Sequence, residues 1–132
     1  MKVSRHVHGN ALLISLVGRL DHETTPEFRE ELMGCITQSA GQELTMVLDL
    51  TDLEYLSSPG LNALIIGSRT SRKEGVGMYA AGLQPMVRET WEISHLTLLV
   101  QTFPTVEEAL QVVSDAAAKS YAATKAPNGI KA

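Results

Sequence analysis

The sequence predicts an α/β domain in which a β-hairpin opens a mixed sheet and helices then alternate with strands. Two strand-like segments, Val3 to His8 and Ala11 to Val17, are separated by Gly9-Asn10, a two-residue hairpin signal. Met46, Val47, Leu48 and Leu50 form a nearly continuous apolar run suited to a buried strand. Leu61, Leu64 and Ile65 follow at the three- and four-residue offsets of an amphipathic helix.

The remaining elements follow in order. After the hairpin, Thr24 or Thr25 caps a helix that begins at Pro26 and turns Phe28, Leu32, Cys35 and Ile36 inward. The central strand and helix come next, and Gly75-Val76-Gly77 ends that helix. Met78 to Ala81 reads as a short strand, Pro85 starts a helix running to about His95, and Leu96 to Val100 reads as the last strand. Thr105 and Glu108 form a T-x-x-E capping box. Val106, Ala109, Leu110, Val113 and Ala117 make the apolar stripe of the helix it opens. Residues 1–120 are expected to form a single domain, and residues 121–132, which lack an apolar period, a flexible C-terminal tail.

Composition narrows the function. A chain of 132 residues with 44% hydrophobic and 20% charged residues can bury a core without a disulfide or structural metal. Its net charge of −4 provides no basic footprint for nucleic acid. Arg69, Arg72 and Lys73 cluster only at a helix end, where they complement the dipole. Cys35 is the single cysteine, placed on an apolar helix face as a packed thiol. Apolar runs fall well short of the roughly 20 residues of a membrane span. Ala11 to Val17 leads into Gly-Arg-Leu-Asp rather than a cleavage site, so a cytoplasmic protein without membrane insertion is expected. Trp91 is expected in the core.

The junction between central strand and helix, Leu56-Ser57-Ser58-Pro59-Gly60-Leu61, carries the clearest chemistry. Ser58 is read as the N-cap, with Pro59 at the first helical position, where a missing N–H costs nothing. Unpaired backbone N–H groups and the helix dipole gather there, so a phosphate on this hydroxyl meets a favourable field. A plain capping role for Ser58 is the competing reading.

This junction resembles the signature of the STAS domain, the family of anti-sigma factor antagonists and of the cytoplasmic domains of sulfate transporters. A strand of the V-L-D-L kind leads there to D-S-S-G-L or S-S-A-G-L, whose second position carries a phosphorylatable serine. Ser58 falls on that position, Ser57 stands where the family often has Asp, and Pro59 where it commonly has Ser or Ala. A second segment, Gly18-Arg19-Leu20-Asp21-His22-Glu23-Thr24, is similar to the family's G-x-L-D-x-x-T. The resemblance implies a STAS-like mixed β-sheet with about four α-helices packed mainly against one face. It implies a phosphorylation-controlled binding module, an anti-sigma factor antagonist, bound when unmodified by an anti-sigma factor serine kinase that carries the ATP. A serine phosphatase would reset it, and no cofactor or metal is expected on this chain. Ser58 is the implied phosphoacceptor, with Ser57 the alternative. Asp21, Thr24, Ser57, Pro59, Gly60, Leu61 and Asn62 are the residues expected to position it or meet the partner.

Other chemistries are weaker. His6 and His8 share a strand face, as two metal ligands can, but no third ligand stands at a diagnostic spacing, and exposed histidines are expected. Asp49, Asp52 and Glu54 read as a solvated acidic turn with one carboxylate supporting the loop. A serine hydrolase would need a G-x-S-x-G elbow, yet Leu56 occupies the first glycine position and only His95 follows as a base. The alternative within the same resemblance is a STAS adaptor subunit of a membrane lipid-transport ATPase assembly, without a phosphoswitch.

Overall fold

The computed structural model describes residues 1–125. The first half contains β1 (Lys2–His8), β2 (Ala11–Leu20), α1 (Thr25–Gln42), β3 (Thr45–Asp49), β4 (Leu53–Leu56) and α2 (Ser58–Lys73). The second contains β5 (Met78–Ala81), α3 (Pro85–Ile93), a 3-10 turn at Leu96–Leu98, β6 (Gln101–Phe103), α4 (Val106–Val113) and α5 (Asp115–Lys125). The main sheet has the order β1-β2-β3-β5-β6, with β1 antiparallel to β2 and the other neighbours parallel. Gly9 holds φ at +58°, as the first central residue of a two-residue hairpin turn requires.

Strand alternation sorts the core into two clusters. Leu12, Ile14 and Leu16 of β2 join Met46 and Leu48 of β3 beneath α1, α2 and α3, whose Phe28, Leu32, Leu64 and Trp91 are buried there. Ala11, Leu13 and Val47 belong to the second cluster, with Val106, Ala109 and Leu110 of α4 and Ala117 and Tyr121 of α5. The expected mixed α/β fold is thus present, with five α-helices among the described residues, two of which build the second cluster. Cys35 and Trp91 are fully buried, and burial pushes the Cys35 thiol pKa up, so it is a packing group.

Several elements depart from expectation. The acidic turn after β3 contains a further strand, β4, which pairs parallel with the end of β2, so β2 runs on to Leu20. The apolar stretch Leu96 to Val100 is not a strand: Leu96 and Val100 anchor a 3-10 turn in the core, and the ladder begins only at Gln101. The final helix is interrupted at Ser114, whose backbone is extended, and resumes as α5. Residues 121–125, expected in the tail, continue α5 because Tyr121 packs into the second cluster. Residues 126–132 of that expected tail lie outside the described residues.

His8 is not exposed on its strand. It is buried, with Nδ1 2.9 Å from Ser120 Oγ and its ring edge-on to Tyr121, while His6 is exposed. Arg5 reaches from β1 across Gly34 to Glu31 and Gln38 of α1, at 3.3 and 2.9 Å. A Cβ on Gly34 would stand 2.8 Å from the far end of that flexible side chain, a contact that a small shift of the guanidinium would relieve. No helix among the described residues is long and apolar enough to cross a membrane.

Candidate functional site

The end of β2 and the start of α2 are built against each other. β4 brings the chain back beside Leu20, and the Ser57 N–H donates to the Leu20 carbonyl at 2.9 Å. Gly60 is buried at the same point, where a Cβ would meet Leu20 Cγ at 2.7 Å and its carbonyl oxygen at 3.1 Å. Only glycine allows this approach without displacement. Asp21 directly follows Leu20, so the two sequence motifs converge here.

Ser57, and not Ser58, is the N-cap of α2. Its backbone is extended at φ −84° and ψ 169°, and its Oγ accepts the Gly60 N–H at 3.2 Å. Ser58 instead takes the first helical position and Pro59 the second. The two serines therefore divide the work: one hydroxyl closes the helix, and the other is exposed, with no hydrogen bond to any described residue. Ser57→Ala is expected to cost about 1 kcal/mol of stability, read from thermal unfolding, because the Gly60 N–H loses its acceptor.

The anion-binding capacity of the helix start can be counted group by group. Pro59 has no N–H, Gly60 N–H is taken by Ser57 Oγ, and Leu61 N–H by the Ser57 carbonyl at 2.8 Å. Ser58's own N–H is the remaining first-turn donor, without a backbone partner among the described residues. The macrodipole still favours negative charge here.

Asp21 is committed to its own turn. Its Oδ1 accepts the N–H groups of Glu23 and Thr24 at 3.0 and 3.1 Å. The Thr24 N–H is the largest of the effects that hold its carboxyl below the ordinary range. Thr24 Oγ1 accepts the Asp21 N–H at 2.9 Å and donates to the Arg19 carbonyl at 2.9 Å. These residues fix the β2–α1 turn beside the junction, and no hydrogen bond joins either side chain to Ser58 among the described residues.

Leu61 is half-buried against the core, while Asn62 is exposed one turn beyond Ser58. Ile66, not selected from sequence, continues the same strip, with 40% of its surface exposed. Its four-residue spacing from Asn62 was the available signal. The hydrolase arrangement is not assembled: His95 is exposed beyond α3 and makes no side-chain hydrogen bond to Ser58. In the acidic turn, Asp49 Oδ1 accepts from Thr51 N–H and Oγ1 at 3.1 and 2.6 Å, the supporting role expected for one carboxylate. No group of three potential metal ligands occurs among the described residues.

The profile of the STAS domain matches residues 2–109, which contain both converging motifs. The chain belongs to the STAS domain family. Among relatives, BtrV of Bordetella bronchiseptica, provisionally named an anti-sigma factor antagonist, is 29% identical over 94 residues, 71% of this chain and 78% of that protein. The crystal structure of an anti-sigma factor antagonist from Mycobacterium paratuberculosis superposes with a TM-score of 0.75 at 24% identity, covering 85% of this chain and 92% of the other. The phosphorylated form of the Bacillus cell fate determinant SpoIIAA gives a TM-score of 0.65 at 22% identity, covering 85% and 99%. At these identities the structural likenesses establish the STAS fold; α4's end and all of α5 lie beyond the matched segment.

Proposed function

We propose that this STAS domain is an anti-sigma factor antagonist whose binding is switched by phosphorylation of Ser58. The supporting observation is the division between neighbouring serines: Ser57 Oγ is occupied as the cap, whereas Ser58 Oγ is exposed at the positive end of α2. In this reading the unmodified chain docks on an anti-sigma factor serine kinase through the helix start and the strip continued by Asn62. Sigma factor is thereby set free. The partner supplies ATP, so the antagonist contributes an acceptor, a rigid presentation of it and a complementary surface.

Phosphorylation adds about −1.5 to −2 charges at the centre of that surface. The helix start accommodates the charge locally, but burying it under a partner without matched donors is expensive. The change is one of binding rather than folding. Asp21 and Thr24 serve it by fixing the turn beside the junction, and a serine phosphatase returns the chain to its binding form.

Incubation of the full chain with an anti-sigma kinase and ATP, followed by intact-mass and phosphosite analysis, tests the assignment. One phosphate on Ser58, absent from Ser58→Ala, is expected. Modification of Ser57 with Ser58 untouched would reject Ser58 as the acceptor.

A further inference from the structure

The face of the sheet remote from α2 carries an arrangement that the switch does not use. α5 lies beyond the family-matched residues and is joined to α4 through the single extended residue Ser114. It is fastened to the opening hairpin at three points. Ser114 Oγ donates to Asn10 Oδ1, Gly9 lies so close to the helix that a Cβ would stand 2.8 Å from Ala117 N, and His8 Nδ1 pairs with Ser120 Oγ at 2.9 Å. Tyr121, in the following position, packs edge-on to the His8 ring with centroids 5.6 Å apart.

His8 is 6% exposed yet borders an open cleft of about 370 Å³, which gives protons a path to it. The charged and titratable groups facing it come from three elements. β1 contributes His6, its ring stacked 6.4 Å away; β3 contributes Asp49; α5 contributes Tyr121 and Lys125. β2 offers only Leu13 and Ser15. Asp49 is the one carboxylate lining the cleft among the described residues, and its Oδ1 already accepts from Thr51. The loss of solvent, followed by the second imidazole, opposes a proton on His8.

We propose that α5 is a pH-released strap, docked on the hairpin while His8 is neutral and let go when His8 is protonated. Burial, followed by the neighbouring His6, lowers the His8 pKa below its ordinary value of about 6.5. The released helix returns His8 to water and to its ordinary proton affinity. Between the lowered and the ordinary value the released form therefore binds the extra proton, and acidification through that window shifts the balance toward release. Above the window both forms hold a neutral ring and docking is at its strongest. Release uncovers Leu13, Ala117 and Tyr121, an apolar surface separate from the Ser58 junction.

Amide hydrogen exchange of the full chain at pH 7.5 and 5.5, normalised for intrinsic exchange, tests this alongside NMR titration of the histidine rings. Loss of protection at low pH, confined to Ala117–Tyr121 and the hairpin tip and following the His8 titration, is expected. His8→Phe should retain α5 protection at both pH values, and His6→Gln should still release. The proposal is overturned if α5 protection is unchanged at low pH, if α1 and α3 lose protection together with α5, or if release follows the His6 titration. Should His8→Phe fail to fold, the wild-type comparison of ring titration with exchange decides alone.

Discussion

Ser58→Asp is expected to abolish capture of the anti-sigma partner while leaving the fold intact or slightly more stable. A carboxylate at the first position of α2 lies in the favourable field of the helix start, worth about 0.3–1 kcal/mol. Unfolding temperature should therefore hold or rise by about a few degrees. The same charge, buried against a partner surface that evolved around a neutral hydroxyl, should cost about 2–5 kcal/mol of binding, or at least about thirtyfold in Kd. Ser58→Ala removes the acceptor without adding charge and should bind like the unmodified protein. Calorimetric titration of each variant with the purified partner, paired with thermal melts, separates the two effects. Binding of the aspartate variant within about threefold of wild type would remove the electrostatic basis of the switch.

Trp91→Ala should lower stability by about 3–5 kcal/mol, a large part of the roughly 5–15 kcal/mol typical of a domain. Trp91 is fully buried on α3 and packs with Val87 in the larger core cluster. Trp91→Phe should be far milder than the lost volume suggests, within about 1 kcal/mol of wild type. The reason is that Trp91 Nε1–H is buried without a partner among the described residues. Such a donor costs about 1–3 kcal/mol, and phenylalanine removes it while keeping most of the apolar contact. Urea unfolding followed by far-ultraviolet circular dichroism measures both, since the chain's single tryptophan, and with it the usual fluorescence probe, is lost. A loss in Trp91→Phe well beyond about 1 kcal/mol would count against an unsatisfied indole N–H.

Legibility tracked the strength of local patterns. The hairpin, the central strand and the N-cap at Thr105 are written in short-range chemistry and formed where expected, with Thr105 Oγ1 accepting the Glu108 N–H at 3.1 Å. The Glu108 carboxylate accepts from the Thr105 hydroxyl rather than from its main-chain N–H, so only one half of the expected capping box forms. β4 escaped because Leu53-Glu54-Tyr55-Leu56 is only four residues long, follows an acidic turn and is stabilised by pairing with distant β2. Leu96 to Val100 misled in the opposite direction. Its apolar run has strand composition, yet Leu96 and Val100 are buried while Leu98 is 79% exposed, which breaks the two-residue alternation of a strand. The Leu96 carbonyl instead accepts the N–H groups of Leu99 and Val100, both at 2.9 Å. At the junction, the pattern assigned the cap to Ser58 where the structure gives it to Ser57, since either hydroxyl suits that chemistry. Burial of His8 was invisible for a different reason: its cover, Ser120 and Tyr121, comes from more than a hundred residues away, in a segment without a clear apolar period.

Pro59 sets how firmly a modified Ser58 can be held. With that amide missing and the next two engaged, a phosphoryl group there would find a single open main-chain donor, and water would satisfy most of its oxygens. The mark would be displayed more than clasped. Its lifetime would then be governed by how fast a hydrolase encounters the exposed ester, and the duration of the signal would belong to the surrounding circuit rather than to this domain.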